Sequence, residues 1–507
     1  MLDTKPPGRS SATVIGLLIF FVPFFTYLSP ENLRQLSKYD VLETFLSLII
    51  ILIVTVISSS SIEILLKRFF KKKIMLFPLF CFAFYLNFLY IPFSEPVQEF
   101  LYPKFGYTGT LIFIFFELCC LAIIILAAKF NTFSIRMILI FSILMLIKAS
   151  IPLASYLAQN IGKNPTISYE IKNSSFAQDD IEKKRNVYYI ILDGMMTIEN
   201  AELLNITTKN EELDNLSNAG LKYIDKSQSS YGDTQMTLAS ILLMDYHHIP
   251  SSPKFKDTRH FFPSMMYQKR FKLPLLSYLK EAKSYLLWSG NAFAGCNFSS
   301  KWSCVNERMD LYARNSFKFY LTTPFARIAL RAYYKRIPES QNSIDMFLKY
   351  IEKNGTPKAP FFAFIHHGSP HSPYLVTSEC KPTRINENYN GYKSAYKCAL
   401  LKIKLFMEKI NSIDPEAIVV FQADHGWSSL DKPNQTEKEI IQLRGKIFNA
   451  IKAPKTCFEK YGLPKNNINT VRFTLNCAYG FKLPYRKNIH YIYGSEYGTV
   501  IEKNIYE

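Results

Sequence analysis

Three short apolar runs in this chain each end on residues of the types that can ligate metals. Asn186-Val-Tyr-Tyr-Ile-Ile-Leu-Asp-Gly194 stops at an acid, and Phe361-Phe-Ala-Phe-Ile365 runs into His366 and His367 with His371 close behind. Ala417-Ile-Val-Val-Phe-Gln-Ala423 runs into Asp424-His425-Gly426. An unbroken apolar run of that length reads as a strand buried on both faces of a parallel sheet. Ligands of open α/β sheets gather at the carboxyl ends of the strands, so these side chains are predicted to meet at one edge. Helix-like and strand-like stretches alternate between the runs, as where Leu275–Leu279, after Pro274, is followed by Ser284–Trp288. The pattern predicts one α/β domain over residues 186–507, with a mostly parallel sheet covered by helices.

The N-terminal part follows another rule. At 507 residues, 48% hydrophobic and 20% charged, the chain is too long for one ordinary core and apolar enough to lie partly in lipid. Five apolar runs precede residue 160, at Thr13 to Leu28, Phe45 to Ile62, Met75 to Phe93, Thr110 to Ala128 and Met137 to Leu157. Each is close to the roughly 20 residues a spanning helix needs. They predict a five-helix transmembrane anchor over residues 1–158 and a polar linker over 159–185. Lys5 and Arg9 precede the first run as in a signal peptide, but no small-residue cleavage site follows and four more runs do, so it is expected to remain as an anchor.

Basic residues set the orientation. Lys67, Arg68 and Lys71 to Lys73 follow the second run, and Lys129 and Arg136 follow the fourth. Both loops belong on the cytoplasmic side with the N-terminus, and an odd number of spans then exports the α/β domain. Glu117 and Lys148 fall inside the fourth and fifth spans at similar depth, where a structural ion pair is the simplest expectation.

Cysteine usage bears on the same topology. Cys81, Cys119 and Cys120 lie in predicted spans, leaving Cys296, Cys304, Cys380, Cys398, Cys457 and Cys477 outside them. Pairing neighbours (296 with 304, 380 with 398, 457 with 477) closes the shortest loops and suits an oxidising compartment; six free thiols is the alternative. The formal charge of +19 would suit nucleic acid, but no RNA-binding or helix-turn-helix signature accompanies the scattered lysines. Anionic lipid and phosphate-bearing substrates are the expected partners, and nucleic acid is not.

Between the first and second runs, Gly232-Asp233 makes a turn ahead of the helix-like stretch Gln235 to Met244, which puts Thr234 at or just before a helix N-terminus. Free N–H groups and the helix dipole favour an anion there, and a hydroxyl beside a metal can attack phosphorus. Thr234 is therefore the expected nucleophile, with Thr237 and Ser240 as fallbacks and a plain helix cap as its structural reading. Asp193, Thr234, Asp424 and His425 supply three oxygens and one nitrogen, a set suited to zinc or manganese, with magnesium a further option. His366 and His371 are expected to bind a second metal, or to hold the substrate phosphate and protonate the leaving group.

Taken together, the strand ending Leu192-Asp-Gly194, the Thr234 helix, His366-His-Gly-Ser-Pro-His371-Ser-Pro-Tyr374 and Ala423-Asp-His-Gly426 resemble the membrane-anchored branch of the alkaline phosphatase and sulfatase superfamily. That branch includes phosphoethanolamine transferases and lipoteichoic acid synthases. A weaker likeness extends to Asn469-Thr-Val-Arg472 and Asn476. The resemblance implies that Asp193, Thr234, Asp424 and His425 hold the metal, that Thr234 becomes covalently modified, and that His371 contacts phosphate. It also implies a bacterial plasma-membrane enzyme with its catalytic domain outside. Such an enzyme moves a phosphoethanolamine or phosphoglycerol group from a phospholipid donor onto an envelope lipid or glycan.

Transferases of that branch usually carry Glu where Asp193 stands and a further His soon after Asp-His-Gly. This chain has Trp427-Ser-Ser-Leu-Asp-Lys-Pro-Asn434 there, so a sulfatase- or phosphatase-type hydrolase of extracytoplasmic esters stays open beside transfer. An inactive sulfatase-fold scaffold is the third reading. Cys380-Lys-Pro-Thr-Arg384 fits the pattern by which sulfatases mature a cysteine to formylglycine, but it follows the histidine strand instead of opening the nucleophile helix, and a disulfide to Cys398 is the expected use.

Overall fold

The computed structural model describes residues 9–28, 38–66, 76–90, 109–129, 184–246, 273–290, 303–305, 342–356, 360–372, 374–386, 388–427, 436–493, 500–503 and 505–506, with isolated residues near 93–97, 140–158 and 320–323. The chain divides into two compact units. One comprises residues 1–166 with 314–333, and the other residues 167–313 with 334–507.

The first unit contains α1 (Arg9–Tyr27), α2 (Lys38–Leu66), α3 (Leu76–Asn87) and α4 (Gly109–Lys129), which overlap the first four predicted spans. Among the described residues, only α2 carries a stretch long and apolar enough to cross a membrane, Val41–Ile64 with mean hydropathy 2.6. The apolar stretches of the other three are shorter, and the fifth predicted span and the linker lie largely outside the described residues. Phe20 stacks on Phe84 at 4.5 Å, and Ile19, Leu48 and Cys81 are buried with them. The expected Glu117–Lys148 pair does not form: Glu117 Oε1 is buried with no hydrogen-bond partner, and Lys148 is exposed.

The second unit is built on a seven-stranded sheet. Its strands are β1 (Val187–Leu192), β2 (Lys222–Tyr223), β3 (Tyr285–Ser289), β4 (Ser303–Cys304), β5 (Phe361–His367), β8 (Ile418–Gln422) and β9 (Asn449–Lys452), in the order β2-β9-β8-β1-β5-β3-β4. All neighbours from β8 to β4 are parallel, while β9 and β2 add an antiparallel edge. The central strands have no polar face because both sides are covered. Tyr188, Ile190 and Leu192 pack on one face with α5 (Ile198–Leu203), α6 (Lys209–Asn218), α9 (Ser343–Asn354) and α10 (Tyr389–Ile413). Val187, Tyr189 and Ile191 pack on the opposite face with α7 (Thr234–Leu243), α8 (Pro274–Glu281) and α13 (Asn467–Tyr479). Trp288 stacks on Phe364 at 4.6 Å and adds an aromatic pair to the α7 layer.

Two of the three expected disulfides form, Cys380–Cys398 and Cys457–Cys477; Cys296 lies outside the described residues. The first excludes the formylglycine use of Cys380, whose sulfur is bonded. It also ties the hairpin of β6 (Tyr374–Val376) and β7 (Pro382–Asn386), which follows His371, to α10. The second joins α12 (Lys455–Tyr461) to α13 across 20 positions. Closing a loop of that size constrains the unfolded chain by about 3 kcal/mol. Cys457→Ala/Cys477→Ala should therefore lower the thermal midpoint of the detergent-solubilised protein by several degrees, and an unchanged midpoint would remove this linkage from the stability of the unit.

Candidate active site

Strand register decides which of the candidate residues share a face. Ile191 of β1 is opposite His366 of β5 and Gln422 of β8. Side chains alternate along a strand, so Asp193 and Asp424, each two positions further on, emerge on the face of His366. His367 is opposite Leu192 and falls on the other face. There it is buried, and neither ring nitrogen has a hydrogen-bond partner.

The strand ends are bound to one another. The Asp193 N–H donates to His367 O at 3.0 Å, and the N–H groups of Gly194 and His425 both donate to Asp424 Oδ1, at 3.0 and 2.8 Å. Gly194 has φ +77°, in the left-handed region, and a Cβ there would lie 3.6 Å from the His371 backbone and ring. That contact would be an ordinary one, so glycine is favoured at this turn by its left-handed backbone and not by crowding. Gly426 is needed for a different reason: a Cβ would sit 2.0 Å from Leu443 O, where the end of α11 (Glu437–Gly445) is packed against the Asp-His-Gly turn.

Thr234 arrives from the α7 layer. The helix α7 is capped by Asp233, whose Oδ1 accepts from the Gln235 and Met236 N–H groups at 2.9 and 3.3 Å, so Thr234 is its first residue. Thr234 thus stands at the helix N-terminus as expected, and one expectation attached to that position is corrected. Asp233 is the cap, and its carboxylate already occupies amides that were expected to be free for a substrate anion. Thr234 Oγ1 lies 3.2 Å from His425 Nε2, and Thr234 is 8% exposed. The fallback hydroxyls serve the backbone instead, Thr237 donating to Tyr231 O and Ser240 to Thr237 O.

The four predicted metal residues come together, and the two predicted histidines join them. Asp193, His366 and Asp424 offer ligand atoms within 4.8 Å of one another, as do Asp193, His371 and His425. His366 Nε2 is 3.5 Å from Asp193 Oδ2, and His425 Nε2 is 3.7 Å from both Asp193 Oδ1 and Asp424 Oδ2. Buried polar atoms are almost always satisfied, yet Asp193 Oδ1, Asp424 Oδ2 and both ring nitrogens of His366 have no hydrogen-bond partner. Orphaned carboxylate oxygens facing imidazole nitrogens in a buried cluster fit a divalent cation. His371 is the exposed member, its Nδ1 turned to Ser372 O.

Electrostatics agree. Burial lowers His366 to about 4 and His425 to about 3, so both rings are neutral at pH 7 and keep a lone pair for a metal. Burial, and next the Asp424 charge beside it, push the Asp193 carboxyl well above the usual range. At Asp424 burial is outweighed by His425, His366, the Thr234 hydroxyl and the Gly194 N–H, and its carboxyl sits at about 2. Two acids this close cannot both ionise cheaply without a cation between them.

The sequence reading missed Arg444. It stands in the last turn of α11, where a basic residue ordinarily needs no more explanation than the helix dipole. In the structure its carbonyl accepts the Gly426 N–H at 2.6 Å, and its Nε donates to Gly232 O. Asn467 makes a second cross-link, accepting from Ser230 N–H at 2.8 Å and donating to Ala423 O at 2.9 Å. Both residues hold the Thr234 segment against the Asp-His-Gly strand.

A family model described as Sulfatase matches residues 185–447, a stretch that contains every member of this cluster. Among solved structures, the C-terminal periplasmic domain of EcEptC from Escherichia coli is 14% identical, with a TM-score of 0.42 over 65% of this chain and 95% of that one. The C-terminal periplasmic domain of phosphoethanolamine transferase EptC from Campylobacter jejuni is 11% identical, with a TM-score of 0.38 over 58% of this chain and 88% of that one. The lipoteichoic acid synthase LtaP from Listeria monocytogenes is 14% identical, with a TM-score of 0.37 over 59% and 73%. No curated protein sequence matches the chain. The family match spans more than half of the sequence, from just before the Asp193 strand to just beyond Arg444, and the chain belongs to the sulfatase family.

Proposed function

We propose that this protein is a metal-dependent phosphotransferase in which Thr234 carries the transferred group between a phospholipid donor and an acceptor on an envelope lipid or glycan. The observation that carries the reading is the approach of Thr234 Oγ1 to His425 Nε2, 3.2 Å, at the edge of buried acids whose oxygens lack partners. A divalent cation, zinc or manganese, held by Asp193, Thr234, Asp424 and His425 with His366 as a further donor, would lower the hydroxyl's pKa and polarise the phosphoryl oxygen.

The chain's own groups then divide the work. The Thr234 hydroxyl passes its proton to solvent and recovers one when the cycle ends; its Oγ forms a bond to phosphorus as the bond from phosphorus to the lipid alcohol breaks, and His371 gives that departing oxygen its proton. In the second half the acceptor hydroxyl returns a proton to His371, attacks phosphorus and releases Thr234. His371 suits this role because it is the exposed member of the cluster and meets both substrates at the rim. A lipid donor suits a chain whose α2 is long and apolar enough to span a bilayer, here proposed to belong to a multi-pass anchor with the catalytic unit outside the plasma membrane.

Full-length protein in detergent with zinc and headgroup-labelled phosphatidylethanolamine tests the reading. Label retained on Thr234 and then passed to a glycan or lipid acceptor supports transfer. Free phosphoethanolamine with no labelled Thr234 would instead make the protein a hydrolase, and a preparation that binds no divalent metal would make it a scaffold.

A further inference from the structure

The segments that follow Asp193, His371 and His425 meet a second time, in a cluster of aromatic rings. Tyr392 of α10 donates its hydroxyl proton to Gly194 O at 3.0 Å and accepts the Met196 N–H at 3.3 Å, so it grips the turn after Asp193. Trp427, two residues beyond His425, stacks on Tyr392 with ring centroids 4.8 Å apart and 21° between planes. Tyr374, three residues beyond His371, meets the same Tyr392 ring edge-on at 5.8 Å. Trp427 Nε1 then donates to the Tyr374 hydroxyl oxygen at 3.1 Å. All three rings are buried. Buried Tyr and Trp usually find a partner for their polar end, so each contact taken alone is packing. Their joint placement adds something else, because each ring anchors a different segment of the site.

His371 needs such an anchor. It is the exposed member of the cluster, its Nδ1 donates to Ser372 O in its own loop at 2.5 Å, and its ring centroid stands 5.9 Å from that of His425. The Cys380–Cys398 disulfide holds the turn end of the β6–β7 hairpin to α10. At the other end of the hairpin, next to His371, Tyr374 is tied to the Asp-His-Gly segment by the Trp427 hydrogen bond. That bond joins the chain just after one histidine to the chain just after the other, across 53 positions. The indole can only donate, so the phenol oxygen accepts, and phenylalanine at either position removes the bond while keeping a ring. Resting on the transfer reading, we propose that Trp427 and Tyr374 are the positioning pair for His371, setting its ring where it meets the departing lipid alcohol.

The test uses full-length protein, free of metal for hydrogen exchange and loaded with zinc for turnover. Trp427→Phe removes the donor, and Tyr374→Phe removes the acceptor and carries the test if the tryptophan variant does not fold. Amide exchange in the peptide from His371 to Val376 should quicken at least about fivefold in each variant, the scale of one lost hydrogen bond, while the strands ending at Asp193 and Asp424 keep their protection. With headgroup-labelled phosphatidylethanolamine, kcat for labelling Thr234 should fall at least about tenfold with KM and zinc affinity unchanged, part of the roughly hundredfold or more that a placed proton donor contributes. In a His371→Gln background the same substitutions should cost nothing further. An equal loss in that background would overturn the proposal. So would zinc affinity falling along with the rate, which would make the pair a support of the Asp-His-Gly turn. Exchange or kcat unchanged in both variants would overturn it as well. Exchange is read without substrate: faster exchange in the variants, with no labelled Thr234 in the wild type, would sink the transfer reading and leave the placement of His371 by this pair standing.

Discussion

Thr234→Ala should abolish covalent labelling and reduce turnover by at least about a thousandfold, the scale on which enzymes lose activity when a nucleophile is deleted. The protein should nevertheless fold. The substitution removes one hydroxyl, which lies 3.2 Å from His425 Nε2 and helps to hold the Asp424 carboxyl low, and the helix keeps its cap because Asp233 supplies it. The stability cost should be about 1 kcal/mol, far too small to explain such a loss of rate. Thr234→Ser restores a hydroxyl at the same place and should recover labelling in part. Mass spectrometry of the labelled protein decides the matter, because an adduct on a different side chain in the wild type would displace Thr234 from the centre of the chemistry.

A second substitution should separate metal binding from folding. In Asp424→Asn the Oδ1 acceptor for the Gly194 and His425 N–H groups is kept, while the unpartnered Oδ2 becomes an amide nitrogen. Without metal, the variant should be as stable as the wild type or more so, since a charge beside the buried Asp193 has gone. With metal the order reverses. A ligand present at a hundred times its Kd stabilises the folded state by about 2.7 kcal/mol, and the variant should forgo most of that shift along with more than about a hundredfold of activity. Thermal unfolding with and without zinc reads both effects. A variant that melts lower than wild type in the absence of metal, yet still shifts with zinc, would mean that Asp424 is structural.

Much of this molecule was readable before folding because the relevant signals are local. The runs 187–192, 361–367 and 418–422 are strands, and the residues at their ends meet, because an apolar segment of that length with no polar face has to be covered on both sides. The alternation of helix and strand gave the layered architecture for the same reason, and two disulfides close the short loops that cysteine spacing suggested. Apolar length located α1 to α4, although just one of them, α2, has a described stretch long enough to cross a bilayer.

What needed the fold is everything that depends on register and docking. Whether His366 belongs to the same cluster as Asp193 turns on Ile191 standing opposite it, a pairing between strands far apart in the chain; shifted by one residue, His367 would have taken its place. Asp233, not Thr234, caps the nucleophile helix, a choice between adjacent residues that rests on backbone angles. Arg444 carries no signal in its own neighbourhood, and its importance arises only because α11 ends against Gly426 and sends a side chain back to Gly232. Local periodicity reports which residues must be buried, while a site that gathers charges from five separate segments is made by the packing that brings those segments together.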